Sequence, residues 1–148
     1  MHDYRELSRL TERTIHKYVQ LEKQSHNYGG FNMTQTEIHT ITVVGDYPNI
    51  NVTRLAAVRG ITKGAASQMI YKLVDKGFIK KAVSPNSDTE VCLNLTESGQ
   101  KAYEAHRKYH DESGSAFFKS IAAMPEDVQE YLIQMLKQFD KALDERFQ

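Results

Sequence analysis

"NVTRLAAVRGITKGAASQMIYKLVDKGFI", residues 51–79, is the stretch on which the fold turns. Asn51 carries the short acceptor side chain that closes a helix's first turn, and Val52, Leu55 and Ala56 follow at helical spacing. Gly60 turns the chain and Thr62 offers a second cap. Ala66, Ile70 and Leu73 then lay an apolar stripe along a second helix that Gly77 ends. Two short helices joined by a tight glycine-containing turn form the helix-turn-helix pattern, whose second helix, here 62–77, enters the major groove of DNA. Lys63, Gly64, Ser67, Gln68, Tyr71 and Lys72 are left on its outer side. Those types suit the task, since lysine meets phosphate or guanine, glutamine pairs with adenine and serine serves either.

Helical spacing alone also fits any pair of short helices, and charge separates the two readings. The 148 residues hold 19 basic and 19 acidic side chains, so the net charge says nothing about a polyanionic partner. Between residues 54 and 81, however, Arg54, Arg59, Lys63, Lys72, Lys76, Lys80 and Lys81 face Asp75 alone. Seven cations against one anion make +6, which leaves −6 for the remainder. A polyanion is attracted by one part of this chain and repelled by the rest. The length suits a single domain with one core. No apolar run reaches about 18 residues and no charged-then-apolar leader opens the chain, so a cytoplasmic protein without a membrane segment is expected. The single cysteine, Cys92, fits a reducing compartment and packing within a strand, with a thiol sensor as the alternative.

Working outward, "DYRELSRLTERTIHKYVQLEKQSHNY" spaces Leu7, Leu10, Thr14, Tyr18 and Leu21 as one long amphipathic helix, closed by Gly29 and Gly30. Thr34 and Glu37 form a capping-box pattern that opens a helix running to Gly45. After Gly77 the period changes to two. Val91, Leu93 and Leu95 alternate with Cys92 and Asn94, and "SPNSD" supplies the turn of a β-hairpin wing. A long helix follows from Thr96 and a last one starts near Pro125, with Val128, Leu132, Met135, Phe139 and Ala142 in a stripe. The expected class is mainly α with a small β-wing. A winged helix-turn-helix lobe at 34–96 joins a helical base from the terminal helices, 1–30 and 97–148, which pack on a twin subunit.

This order of elements resembles the MarR family of bacterial transcription regulators. The resemblance is carried by residues 51–81, with their Leu-Ala pair and Lys-Gly-Phe-Ile helix exit, and by "LNLTESGQKA", similar to the family's Leu-Thr-x-x-Gly motif. It implies one MarR-like domain over 1–148 that forms a homodimer and is not an enzyme. The dimer reads a pseudo-palindromic double-stranded operator whose half-sites lie about one DNA turn apart. Family wings commonly carry an arginine near the tip, where this chain has "NSDTE", and Asp88 and Glu90 there oppose phosphate. Lys80 and Lys81 at the wing base, with Arg54, are the expected phosphate anchors.

Six histidines in 148 residues make one pair at a four-residue interval unsurprising, yet His106 and His110 share the stripe of Ala102, Tyr103, Ser113 and Phe117 on the fifth helix. A zinc-sensing branch of the MarR family uses a histidine five residues after the threonine that opens the second helix. It uses two more, ten and fourteen residues after the threonine of the Leu-Thr motif. Counting from Thr34 and from Thr96, His39, His106 and His110 match all three offsets, and Glu22 stands one residue from the branch's glutamate. The resemblance therefore implies a Zn²⁺ effector at His39, His106, His110 and Glu22, with donors that suit a tetrahedral site. The branch's second site needs a cysteine that "NYGGFNM" lacks; His26 and Glu37 are weaker candidates for an extra ligand, while His2 and His16 read as solvated. Three alternatives stay open at this point. One is a histidine patch that is structural, in a regulator answering to a small organic ligand in the cleft between base and lobe. Another is a metal-dependent hydrolase with Glu104 or Glu37 as base, and the third is a winged helix that binds protein instead of DNA.

Overall fold

The computed structural model describes the backbone of residues 3–113 and 116–146, and the side chains of 3–109 and 119–146. Its elements are α1 (Tyr4–Glu22), β1 (Ser25–Tyr28), β2 (Phe31–Thr34), α2 (Gln35–Asp46), α3 (Val52–Arg59), α4 (Lys63–Asp75), β3 (Ile79–Val83), β4 (Val91–Leu95), α5 (Glu97–Ser113), α6 (Ala116–Ala122) and α7 (Glu126–Asp144). The chain divides into two units, 1–108 and 109–148.

In the first unit the expected caps are all present. Thr34 Oγ1 accepts from Glu37 N while Glu37 Oε2 accepts from Thr34 N, the full capping box. Asn51 and Thr62 accept from Arg54 N and Ala65 N, closing the first turns of α3 and α4. Gly60 takes φ 63 between those helices, a left-handed turn without the Cβ penalty. Leu55, Ala66, Ile70 and Leu73 are buried, and with Ile38, Ile41, Val44, Ile79 and Leu93 they form the core. Truncating such a leucine to alanine costs about 2–5 kcal/mol, because the void cannot fully collapse.

Three expectations need correction. The first helix stops at Glu22 rather than reaching Tyr28, and "SHNYGGFNMT" forms a hairpin, with Tyr28 paired to Phe31 across Gly29 and Gly30. Those two glycines take φ 61 and 91, the both-positive pair that a tight two-residue hairpin turn requires. In the wing, Cys92 is buried beside Leu93 while Val91 is exposed, so strict alternation fails. The cause is a third segment beside the hairpin, residues 49 and 50: Leu93 N donates to Ile50 O, and Cys92 packs against the Asn49 and Asn94 side chains. Finally, a short α6 stands between the long helix and the last one.

In the first unit α1 buries none of its residues, leaving Leu7, Ile15, Tyr18 and Val19 exposed. In the second unit α7 likewise buries none, and Tyr131, Ile133, Leu136 and Phe139 remain uncovered. Among the described residues no helix is long and apolar enough to cross a membrane.

Candidate nucleic-acid interface and candidate metal centre

Burial of Ala66, Ile70 and Leu73 fixes the rotation of α4, and this puts Lys63, Gly64, Ser67, Gln68, Tyr71 and Lys72 on its exposed side. Tyr71 is 73% exposed, and no other residue of α4 offers so large an apolar surface to a partner. A Cβ on Gly64 would meet nothing nearer than Thr62 Oγ1 at 4.0 Å, so the fold of this chain has no steric need for glycine there. Arg54 is also exposed, with its guanidinium 5.3 Å from the Tyr47 ring centroid. Lys80 and Lys81 are exposed on β3, but as strand neighbours they point to opposite faces. In the wing Glu90 is not a loose anion, because its carboxylate accepts a hydrogen bond from Asn51, the cap of α3.

Lys72 is the exception on that face. Its Nζ lies 2.9 Å from Glu37 Oε1, and Lys76 Nζ lies 2.7 Å from the same atom. Burial alone would raise the Glu37 carboxyl pKa, but the two ammonium groups and the Thr34 amide outweigh it and bring it down to about 2. So engaged, Glu37 is no general base at neutral pH, which removes one prop of the hydrolase reading. The other, Glu104, is exposed and accepts from Gln100.

The second constellation joins α1, α2 and α5 within the first unit. His39 Nδ1 is 3.7 Å from Glu22 Oε1, and the His39 and His106 rings lie 5.3 Å apart at 67°. His106 is 5% exposed, and its Nδ1 is 3.2 Å from Thr42 Oγ1. That hydroxyl has one proton, and it donates it to Ile38 O at 2.9 Å. Toward His106 it therefore accepts, which makes Nδ1 the protonated nitrogen and puts the lone pair of the neutral ring on Nε2. The Glu22 carboxylate stands 3.7 Å from Nδ1 of His39, longer than a hydrogen bond. His106, with its lone pair on Nε2, is in the form that ligates metal through that nitrogen.

Two neighbouring groups border the pair, one on β1 and one at the end of α3. Tyr28, on β1, packs its ring edge-on against His106 at 5.4 Å, and His26 lies two residues earlier on the same strand face, with its Nε2 buried and without a hydrogen-bond partner. Arg59, at the end of α3, brings its guanidinium to 3.8 Å from Glu22 Oε1 while its Nε is buried and unpaired. Neither has a motif to announce it; the β1–β2 hairpin places the first and the α3 exit the second. The donor types fit a zinc-class ion, but among the described residues no three His, Cys, Asp or Glu side chains gather closely enough to hold one. His110, the third expected imidazole, lies outside the described side chains, as do Ser113 and Phe117, and His2 lies outside the described residues. His16 is exposed on α1. Cys92 is buried, which accords with packing.

Residues 33–90, the stretch from β2 through the wing turn, match the MarR family model. The winged lobe belongs to the MarR family. An uncharacterized HTH-type transcriptional regulator of Bacillus subtilis, YhjH, is 35% identical over 85 residues, 57% of this chain and 49% of that one. The chain spans 49% to 64% of the length of the first curated relatives it matches, all HTH-type transcriptional regulators of Bacillus subtilis. Two solved structures share the fold. Streptococcus pneumoniae FabT in complex with DNA aligns with a TM-score of 0.67 at 21% identity, over 97% of this chain and 99% of that one. Lactococcus lactis ZitR, described as a zinc-responsive MarR family member, aligns with 0.62 at 18% identity, over 99% and 100%.

Proposed function

We propose that the chain is a transcription regulator that binds double-stranded DNA as a homodimer. The observation that carries this reading is the exposed face of α4, where Lys63, Ser67, Gln68 and Tyr71 stand clear of the core beside an unneeded Gly64. Gly64 stands in the first turn of α4, where a position without a side chain lets a DNA backbone approach closely. That one structural relative was solved in complex with DNA supports the same use of the fold. The uncovered apolar sides of α1 and of α7 are the surfaces proposed for the twin subunit.

The effector proposed is Zn²⁺, with His39, His106 and His110 as ligands and Glu22 as the carboxylate beside His39. Bound there, the ion supplies a positive cross-link between α2 and α5. Thr42 holds the His106 ring, so the chain pre-sets that tautomer before any ion arrives, and the Glu22 carboxylate lies 3.7 Å from His39 Nδ1. The metal-loaded form is the one proposed to bind DNA, which requires the two α4 helices of the dimer to match the half-site spacing better in that form. The zinc-responsive relative supports this choice of effector.

Selection from a random duplex pool with the full chain, with zinc or with chelator, tests both claims. An inverted repeat with half-sites about one turn apart is expected in the zinc arm; no enrichment in either arm removes the DNA reading. His106→Ala should abolish the zinc response and leave the dimer intact, and an undiminished response in that variant sinks the metal site. A second reading takes a small organic anion as effector, favoured by the buried, unpaired Arg59 Nε. Enrichment that phenolic acids abolish and zinc leaves unchanged would decide for it.

A further inference from the structure

The basic stretch on α4 contributes fewer charges to a polyanion than its composition implies. Lys72 and Lys76 sit one helical turn apart near the end of α4, and both ammonium groups converge on Oε1 of Glu37, at 2.9 and 2.7 Å. Glu37 is 1% exposed, while the two lysine side chains are 51% and 39% exposed. Its other oxygen accepts from Thr34 N at 2.8 Å, so one carboxylate both closes the first turn of α2 and ties down the last turns of α4. Arginine or lysine at a helix surface ordinarily exchanges partners freely, at about 0–1 kcal/mol per exposed pair. A carboxylate buried away from water does not permit that exchange, because losing its cations leaves an uncompensated charge in the interior.

We propose that Glu37 is the positioning residue of α4, and that Lys72 and Lys76 are internal partners of this carboxylate and not phosphate contacts. The proposal rests on the DNA-binding reading for its second half only. It revises the expected DNA face to Lys63, Ser67, Gln68 and Tyr71, with Arg54 and the wing-base lysines outside α4. It also gives α2 a direct hold on the orientation of α4, three elements before the wing.

The test measures the salt dependence of duplex binding for the full chain. Each phosphate contact contributes about 0.9 to the slope of log K against log salt. Lys63→Gln removes one contact from each subunit of the dimer and should lower the slope by about 1.8, while Lys72→Gln and Lys76→Gln, each leaving one ammonium on Glu37, should leave it unchanged. Glu37→Gln frees both lysines and should raise the slope, an effect that mere loosening of the fold does not produce. A fall in the Lys72→Gln or Lys76→Gln slope as large as that for Lys63→Gln overturns the assignment. Without DNA, a double-mutant cycle on Glu37→Gln and Lys76→Gln should show non-additive urea midpoints. Additive midpoints overturn the clamp itself, whereas coupled midpoints with no DNA binding in any variant keep the clamp and reject the DNA reading. Should Glu37→Gln fail to fold, the slopes of the two single lysine variants still decide the DNA half, and the clamp is decided by their urea midpoints, which should fall below the parent's while that of Lys63→Gln does not; equal midpoints overturn it.

Discussion

Gly99→Ala sets two physical effects against each other with opposite signs. Gly99 lies in the first turns of α5, and alanine there should stabilise the helix by about 1 kcal/mol on propensity alone. A Cβ on Gly99 would stand 2.1 Å from Phe78 O and 3.1 Å from Phe78 C, where a carbon and a carbonyl oxygen ordinarily keep about 3.3 Å or more. The obstacle is backbone, so α5 must retreat from the α4–β3 connection by about 1 Å. That connection is held by Thr96, which donates its amide to Phe78 O at 3.1 Å and its hydroxyl to Gly77 O at 2.5 Å. Phe78 is itself fixed by the core, its ring edge-on to Phe31 at 5.1 Å. Overpacking costs about 1–3 kcal/mol and a stretched hydrogen bond about 1, which together exceed the propensity gain. The net expectation is a loss of about 2 kcal/mol, or about 4–8 °C in Tm for a chain of this size, measured at fixed protein concentration. Urea and thermal unfolding check it. A variant equal to or more stable than the parent refutes the close approach, since propensity alone predicts a rise.

Thr42→Val removes the acceptor for His106 Nδ1–H while keeping the side chain's shape, and should weaken zinc affinity by about 10- to 100-fold with the fold intact; equal affinity in chelator competition denies the tautomer argument. Stability should also depend on acid through Glu37. Its folded pKa, about 2, lies below the ordinary value of 4.5, so its contribution is complete above pH 4.5 and disappears as pH falls from 4.5 toward 2. Urea midpoints down that range should fall more steeply for the parent than for Glu37→Gln, and parallel curves would deny the ion cluster. Leu136→Glu puts a charge on the exposed apolar side of α7 and should lower the sedimenting mass to that of a monomer; an unchanged dimer places the twin elsewhere.

Much of this molecule follows from local chemistry. Asn51, Gly60, Thr62 and Gly77 settle where α3 and α4 begin and end, because caps and left-handed turns depend on a few neighbouring atoms. The stripe of Ala66, Ile70 and Leu73 settles which side of α4 is presented, because burial of apolar surface fixes a helix's rotation. His39 and His106 are singled out by the resemblance to the zinc-sensing branch, and their rings lie 5.3 Å apart. The β1–β2 hairpin departs from the expected helix because Gly29 and Gly30, both at positive φ, reverse the chain between Tyr28 and Phe31.

Only the tertiary structure decided what those side chains meet. Lys72 looks like a phosphate contact by spacing, and becomes the partner of a carboxylate 35 residues earlier once α2 packs on α4. Gly99 looks like a motif residue, and becomes the point where α5 touches the Phe78 carbonyl. Arg59, His26 and Thr42 carry no signal in the linear order, yet they set the charge, the unpaired donors and the tautomer around His39 and His106. Helix boundaries depend on atoms a few residues apart, whereas a site depends on distances between elements, and those are set by packing alone.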